Sequence, residues 1–155
     1  MIDEHSGFMD WLWVLIVAVR GLSSSPDDQW ATRLGELDRV RAEAFATADP
    51  RRLDEVYAQG SDGWRTDEAT IGAYARRDGR VIGADLRVLS CRVVQASPDR
   101  VSLEVVDQLG PARVRWGDGT STDLPRDRPS RRALTVIRTA DGWRIAESGQ
   151  VSLPR

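Results

Sequence analysis

The sequence predicts an α+β domain, three N-terminal helices packed on a curved antiparallel sheet, and three observations carry that reading. Apolar residues recur at helical spacing up to about residue 78. Strand-like alternation replaces that spacing after Gly79. The chain then closes on Arg131 to Gln150, RRALTVIRTADGWRIAESGQ, where a β-branched run and an alternating run flank Asp141-Gly142. Gly142 tolerates a positive φ and closes a tight turn, with Trp143 and Ile145 on one face opposite Leu134 and Val136. A hairpin alone is marginal in water, so this one calls for further strands and a helical cover.

Taken in order, the chain begins with a short hydrophobic helix over Phe8 to Leu22, FMDWLWVLIVAVRGL. Its uninterrupted core, Trp11 to Val19, is nine residues, whereas a bilayer crossing needs about 20. Asp3 and Glu4 stand where a secretory leader carries positive charge, and no small-residue cleavage site follows. Three readings compete: a shortened membrane anchor, an interfacial or partner-binding helix, and a segment packed on the domain. Trp11 and Trp13 suit an interface, where an indole keeps its N–H wet. Residues 1–24 are therefore read as a hydrophobic segment with a linker (GLSSSP, Gly21 to Pro26), and residues 25–155 as the domain.

Ser25-Pro26-Asp27-Asp28 reads as a helix start: an N-cap, proline in the first turn, and acids at the positive end. From there to about Ala48, Trp30, Leu34, Leu37, Ala44 and Phe45 build one apolar stripe, interrupted by Arg41. Asp49-Pro50 stops this helix and caps a second, Pro50 to Tyr57, ended by Gly60. Ser61 starts a third, running to Asp78 with Gly79 as its stop and Trp64, Ile71, Tyr74 and Ala75 inward.

About five strands follow. Val81 to Ala96 alternates, but its phase slips near Val88-Leu89, which predicts a β-bulge or sharp bend. Ser97 to Arg100 is a turn. Val101, Leu103, Val105, Asp107 and Leu109 then share one face, and Gly110-Pro111 interrupts the run. Arg113 to Trp116 is a shorter strand, Gly117-Asp118-Gly119 a turn, and Thr120 to Pro129, with two prolines, a loop.

Composition excludes several function classes. A net charge of −2 and a pI near 5.5 give no basic footprint for nucleic acid. All 22 basic residues are arginine, a compositional bias rather than a site. Cys91 is the only cysteine, so no intrachain disulfide forms, and it reads as a small core residue. His5 is the only histidine and lies near a terminus, which removes Ser/His/Asp arrangements and most metal sites from the domain. Gly117-Asp118-Gly119 with Asp123 lacks the spacing of a calcium loop. The cluster Arg126, Arg128, Arg131 and Arg132 reads as a solvated loop.

Helix, short helix, helix and a curved sheet ending in a Gly-Trp-Arg-Ile hairpin resembles the NTF2-like superfamily, the cone fold shared with SnoaL-like proteins. The motifs are LDRVRAEAFATADPRRLDEVYAQGS (Leu37 to Ser61) and LTVIRTADGWRIAES (Leu134 to Ser148). With LPRDRPSRRALTVIR (Leu124 to Arg138), they are similar to bacterial proteins carrying such a domain after a membrane segment. The resemblance covers Trp30 to Gly149 and implies a cone with one helix across the inner face of the sheet. It is nearly silent on function, since the superfamily hosts isomerases, cyclases, dehydratases and non-catalytic binding domains.

Within such a cone two charged residues stand on apolar faces, Arg41 and Asp107. A lone buried charge costs several kcal/mol, and an Arg–carboxylate fork is the usual relief. The two are expected to pair, or each to find another partner in the cone interior, where they would lock helix to sheet or line a pocket. Trp30, Phe45, Tyr57, Trp64 and Trp143 are the cone-lining candidates. Resemblance to a ketosteroid isomerase or SnoaL-like cyclase would make Asp107 a base and Tyr57 or Tyr74 a donor, but a paired aspartate is a poor base.

The expected function is therefore a non-catalytic, membrane-associated NTF2-like domain that binds a protein partner or a small apolar ligand. No catalytic residue, cofactor or metal is assigned. The alternative is a soluble SnoaL-like enzyme acting on a small hydrophobic substrate. Pairing of two copies through an outer sheet face is a third expectation.

Overall fold

The computed structural model describes residues 24–151, and Phe8 to Leu22 lies outside them. Ser25 starts helix α1 (Pro26–Thr47) as its chemistry predicts: its hydroxyl accepts from the Asp28 N–H at 3.2 Å. The helix ends at Ala48, which takes a left-handed conformation (φ 51) and donates its N–H to the Ala44 and Phe45 carbonyls.

The second expected helix is shorter and tighter, a 3-10 helix over Pro50–Glu55. The residues after it are taken by the sheet instead. Ala58 N–H donates to the Ile145 carbonyl at 2.8 Å, and Ile145 N–H donates to the Val56 carbonyl at 2.9 Å. Backbone groups engaged there cannot also close a helical turn. Helix α2 (Asp62–Ala75) starts at the Ser61 cap as expected but stops short of Asp78, and Ala75 is exposed rather than inward. Asp78 turns the chain at φ 56, and Gly79 already pairs with Trp116. A Cβ on Gly79 would stand 2.8 Å from the Trp116 ring, which is why glycine sits there.

Seven strands follow among the described residues, all paired antiparallel in two sheets rather than about five in one. They are β1 (Gly79–Ile82), β2 (Leu86–Ala96), β3 (Arg100–Leu109), β4 (Arg113–Trp116), β5 (Ser121–Asp123), β6 (Ser130–Thr139) and β7 (Gly142–Gln150). The larger sheet runs β2-β3-β6-β7 and the smaller β1-β4-β5. The run read as one strand, Val81 to Ala96, is split between them. The corner forms where Gly83, at φ 80, lies against the Pro111 carbonyl and Gly110 N–H donates to the Asp85 carbonyl at 2.8 Å. Strand β5 falls inside the stretch read as a loop, because its three residues are exposed on both faces and carry no alternation.

The phase slip in β2 is real: its pairing with β3 shifts between Val88 and Ser90, and again between Val93 and Gln95. In the closing hairpin, Ile145 faces Val136 as expected, but Leu134 faces Ser148 and Trp143 faces Arg138. Ala146 is the extra residue that moves the register. Trp143 meets Trp30 of α1 edge to face, ring centroids 4.9 Å apart.

Two apolar clusters result. One joins Phe45, Leu53 and Ile71 to Val81 and Val114 of the small sheet. The other joins Leu34 to Leu103, Val105, Leu134 and Val136 of the large sheet.

Strand β2 is an edge, and α1 covers it. Asp27 accepts from the Val93 N–H at 2.9 Å and Asp38 from the Leu86 N–H at 2.6 Å. Two carboxylates three turns apart thus seal a bulged edge that would otherwise offer free N–H groups. Asp27→Ala is expected to lower unfolding free energy in urea by about 1–2 kcal/mol, and Asp27→Asn, which keeps an acceptor, by clearly less. Equal losses in the two variants would refute the role given to this bond.

Candidate functional site

Helices α1 and α2 stand off the inner face of the large sheet and leave a cavity of about 280 Å³. Leu34, Val88, Val105, Leu134 and Ile145 give it apolar walls. Asp38, Arg41, Tyr57, Asp67, Asp107 and Arg132 also line it.

Arg41 and Asp107 both face this cavity but do not pair with each other. Arg41 forks onto Asp67 of α2, Nε to Oδ2 at 2.6 Å and Nη2 to Oδ1 at 3.0 Å. Asp107, 4% exposed, takes Arg132 of the neighbouring strand β6, with Nε to Oδ2 at 3.0 Å and Nη2 on the same oxygen. Each charge found the nearest complementary group across its own packing contact, helix to helix and strand to strand. Arg132 also donates to the Ser148 hydroxyl of β7 at 3.2 Å.

Tyr57 enters the cavity because the backbone on either side of it is bonded to Ile145 of β7. Its ring lies flat against Gly63, where a Cβ would come within 2.6 Å of it. The phenol donates to Asp67 Oδ2 at 2.6 Å, so one carboxylate holds both Arg41 and Tyr57. Burial pushes the phenol above its usual range. Burial also opposes the charge on Arg41, but the Asp67 carboxylate outweighs it and the guanidinium is held more firmly protonated than usual.

The other aromatic candidates do not line the cavity. Phe45 packs toward the small sheet with the Arg41 guanidinium over its ring at 4.9 Å. Trp64 also packs against that cluster and donates its indole N–H to Asp54 at 2.9 Å. Trp30 and Trp143 pack on each other beyond Leu34. They are large apolar groups on inward faces, and in this chain such groups close the core rather than the cavity.

Asp38 is the group that sequence reading passed over. Burial raises its carboxyl from 3.8 to about 6; the Leu86 N–H and Arg41 oppose the rise, and Asp85 and Asp107 add to it. Its Oδ2 is bonded to Leu86, but Oδ1 lies 3.9 Å from Arg41 Nη1, too far for a hydrogen bond. Both atoms are buried, and neither has a hydrogen-bond partner among the described residues. Asp67 was missed as well, and Arg132, read with Arg126, Arg128 and Arg131 as part of a solvated loop, lies instead with Arg131 on β6 and reaches Asp107. All three sit on the faces that carry the apolar residues: Asp38 four beyond Leu34, Asp67 between Trp64 and Ile71, Arg132 in phase with Leu134 and Val136. The rule that singled out Arg41 and Asp107 would have found them.

The architecture is that of solved structures. One is the intermembrane-space region of the chloroplast protein ARC6, with TM-score 0.55 and 15% identity over 84% of this chain and 100% of that one. Another is Aln2 from a Streptomyces species, with TM-score 0.51 and 15% identity over 81% and 90%. Likeness at such identity speaks for the fold alone. No family model matches the chain, and no curated protein matches it in sequence. Helices closed over an antiparallel sheet, with a pocket inside, make the α+β cone that the sequence led one to expect.

Because the Asp38 carboxyl is raised, the folded protein binds that proton more tightly than the unfolded chain does. Its contribution to stability is full below the unfolded value of 3.8 and is lost as pH rises through about 6. The unfolding free energy of the native chain minus that of Asp38→Asn is therefore expected to fall between pH 4 and pH 7, by on the order of 2 kcal/mol. A flat difference would show that Asp38 titrates normally.

Proposed function

We propose that this domain binds a compact, largely apolar small molecule inside its cone. The observation that carries the reading is the cavity itself, about 280 Å³ with walls from α1, the large sheet and Ile145 of β7. Apolar walls supply affinity by burial, and a few convergent polar groups supply orientation. The probe is 2-methylnaphthalene, followed by amide chemical shifts. It is expected to move Val105, Leu134 and Ile145, and Val88→Trp, which places an indole in the cavity, is expected to abolish the shifts. Shifts confined to residues outside the cavity would sink the reading.

An enzyme of the SnoaL-like kind has one observation in its favour, a buried carboxyl at Asp38 raised to about 6. Against it stand the other groups. Tyr57 spends its proton on Asp67, Asp107 is held by Arg132, and Tyr74 packs beside Trp116 in the other cluster. Neither tyrosine is left free to meet a developing oxyanion, and the unpartnered Arg41 Nη1 belongs to a guanidinium already forked onto Asp67, so binding is the better-supported function. Asp38-dependent deuterium exchange at the methyl group of 2-acetylnaphthalene would reverse that preference.

We further propose that Phe8 to Leu22 tethers the domain to a membrane. No helix of the described residues is long and apolar enough to cross one, so this segment would carry the contact. The full chain is expected to stay in a carbonate-washed membrane pellet and to need detergent, while a form beginning at Ser25 is released. Release of both would end the proposal.

A further inference from the structure

Among the described residues, the two buried side-chain atoms without protein partners both lie in the cone, are of opposite kind and stand side by side. Asp38 Oδ1 is an acceptor and Arg41 Nη1 is a donor, 3.9 Å apart on successive turns of α1, and both residues line the cavity. Neither can satisfy the other. Arg41 is fixed by its two bonds to Asp67, and Asp38 by its bond to Leu86 N–H. Buried polar atoms left unpaired are costly, so a ligand that pairs both gains affinity that a purely apolar one does not.

Resting on the reading of the cone as a small-molecule site, we infer that its ligand carries a neutral hydroxyl or primary carboxamide seated between Asp38 Oδ1 and Arg41 Nη1. A hydroxyl donates to Oδ1 and accepts from Nη1 through one oxygen. A carboxamide does the same with its NH2 and its carbonyl on neighbouring atoms, a spacing that suits a donor and an acceptor just beyond hydrogen-bonding range of each other.

Charge argues against the anionic alternative. Asp67 and Asp107 each have an arginine of their own, whereas Asp38 shares an Arg41 already committed to Asp67. A ligand carboxylate would meet Nη1 favourably but would set its second oxygen against Oδ1. The surroundings of Asp38 sharpen the discrimination: Arg41 on α1, Asp85 before β2 and Asp107 on β3 face it, and two of those three are acids.

The test compares four probes of one shape by calorimetry with the full chain at pH 7.5: 2-methylnaphthalene, 2-naphthylmethanol, 2-naphthamide and 2-naphthoate. The alcohol and the amide are expected to bind roughly tenfold tighter than the hydrocarbon, and the carboxylate more weakly than both. Asp38→Asn keeps an oxygen for Leu86 N–H and turns an NH2 toward the gap, so two donors then face the ligand. In that variant the carboxylate is expected to become the tightest of the four, a reversal that a loss of packing would not produce. If the hydrocarbon binds in the cavity but the alcohol and amide bind no tighter, the polar seat is refuted while the binding reading stands. If no probe binds, both fail. An unchanged order of affinities in Asp38→Asn also overturns the assignment, whatever the absolute values.

Discussion

The contact on which the rest depends is the fork of Arg41 on Asp67. It joins the two long helices at the cavity, which both residues line. An arginine in that position must be paired, because a buried guanidinium stripped of its carboxylate costs about 3–5 kcal/mol. Asp67 is engaged twice, by Arg41 and by the Tyr57 phenol, and Tyr57 is in turn fixed by the backbone bonds of its neighbours to Ile145. Helix α1, helix α2, the segment after the 3-10 helix and strand β7 are thereby held around one carboxylate. The charged network thus lines the cavity and ties together the elements around it.

A second constraint acts at the edge of the large sheet. Helix α1 presents Asp27 and Asp38 to two N–H groups of β2, those of Val93 and Leu86, in a strand whose register against β3 shifts twice. Asp38 therefore serves two ends with its two oxygens. One closes the sheet edge and the other faces the cavity. Economy of this kind explains how a carboxylate persists in a site that opposes its ionisation: the backbone bond holds it there.

These two constraints also bear on the proposed binding role. A catalytic cone needs an available base and an available donor placed around one reacting atom. Here Tyr57, Arg41 and Arg132 are bonded to acids within the cone, and among the described residues the buried side-chain atoms left without a partner are one acceptor, Asp38 Oδ1, beside one donor, Arg41 Nη1. Such a remainder suits recognition of a neutral polar group at the end of an apolar body.

The sequence by itself determined the order of elements, the caps at Ser25 and Ser61, the bulge near Val88, the alternating face of β3 and the closing hairpin. Each of these is a local matter of capping, turn chemistry or periodicity, decided among residues a few positions apart. It also marked Arg41 and Asp107 as charges on apolar faces, and the same pattern at Asp38, Asp67 and Arg132 was there to be read. Tertiary structure alone decided the division into two sheets at Gly83 and Gly110, the capture of Val56 to Ala58 by β7, and the partner of every buried charge. Periodicity says which face a side chain occupies but not what stands opposite it. Arg41 met Asp67 rather than Asp107 because pairing of buried charges is settled by distance across a packed interface, a quantity that no local pattern contains.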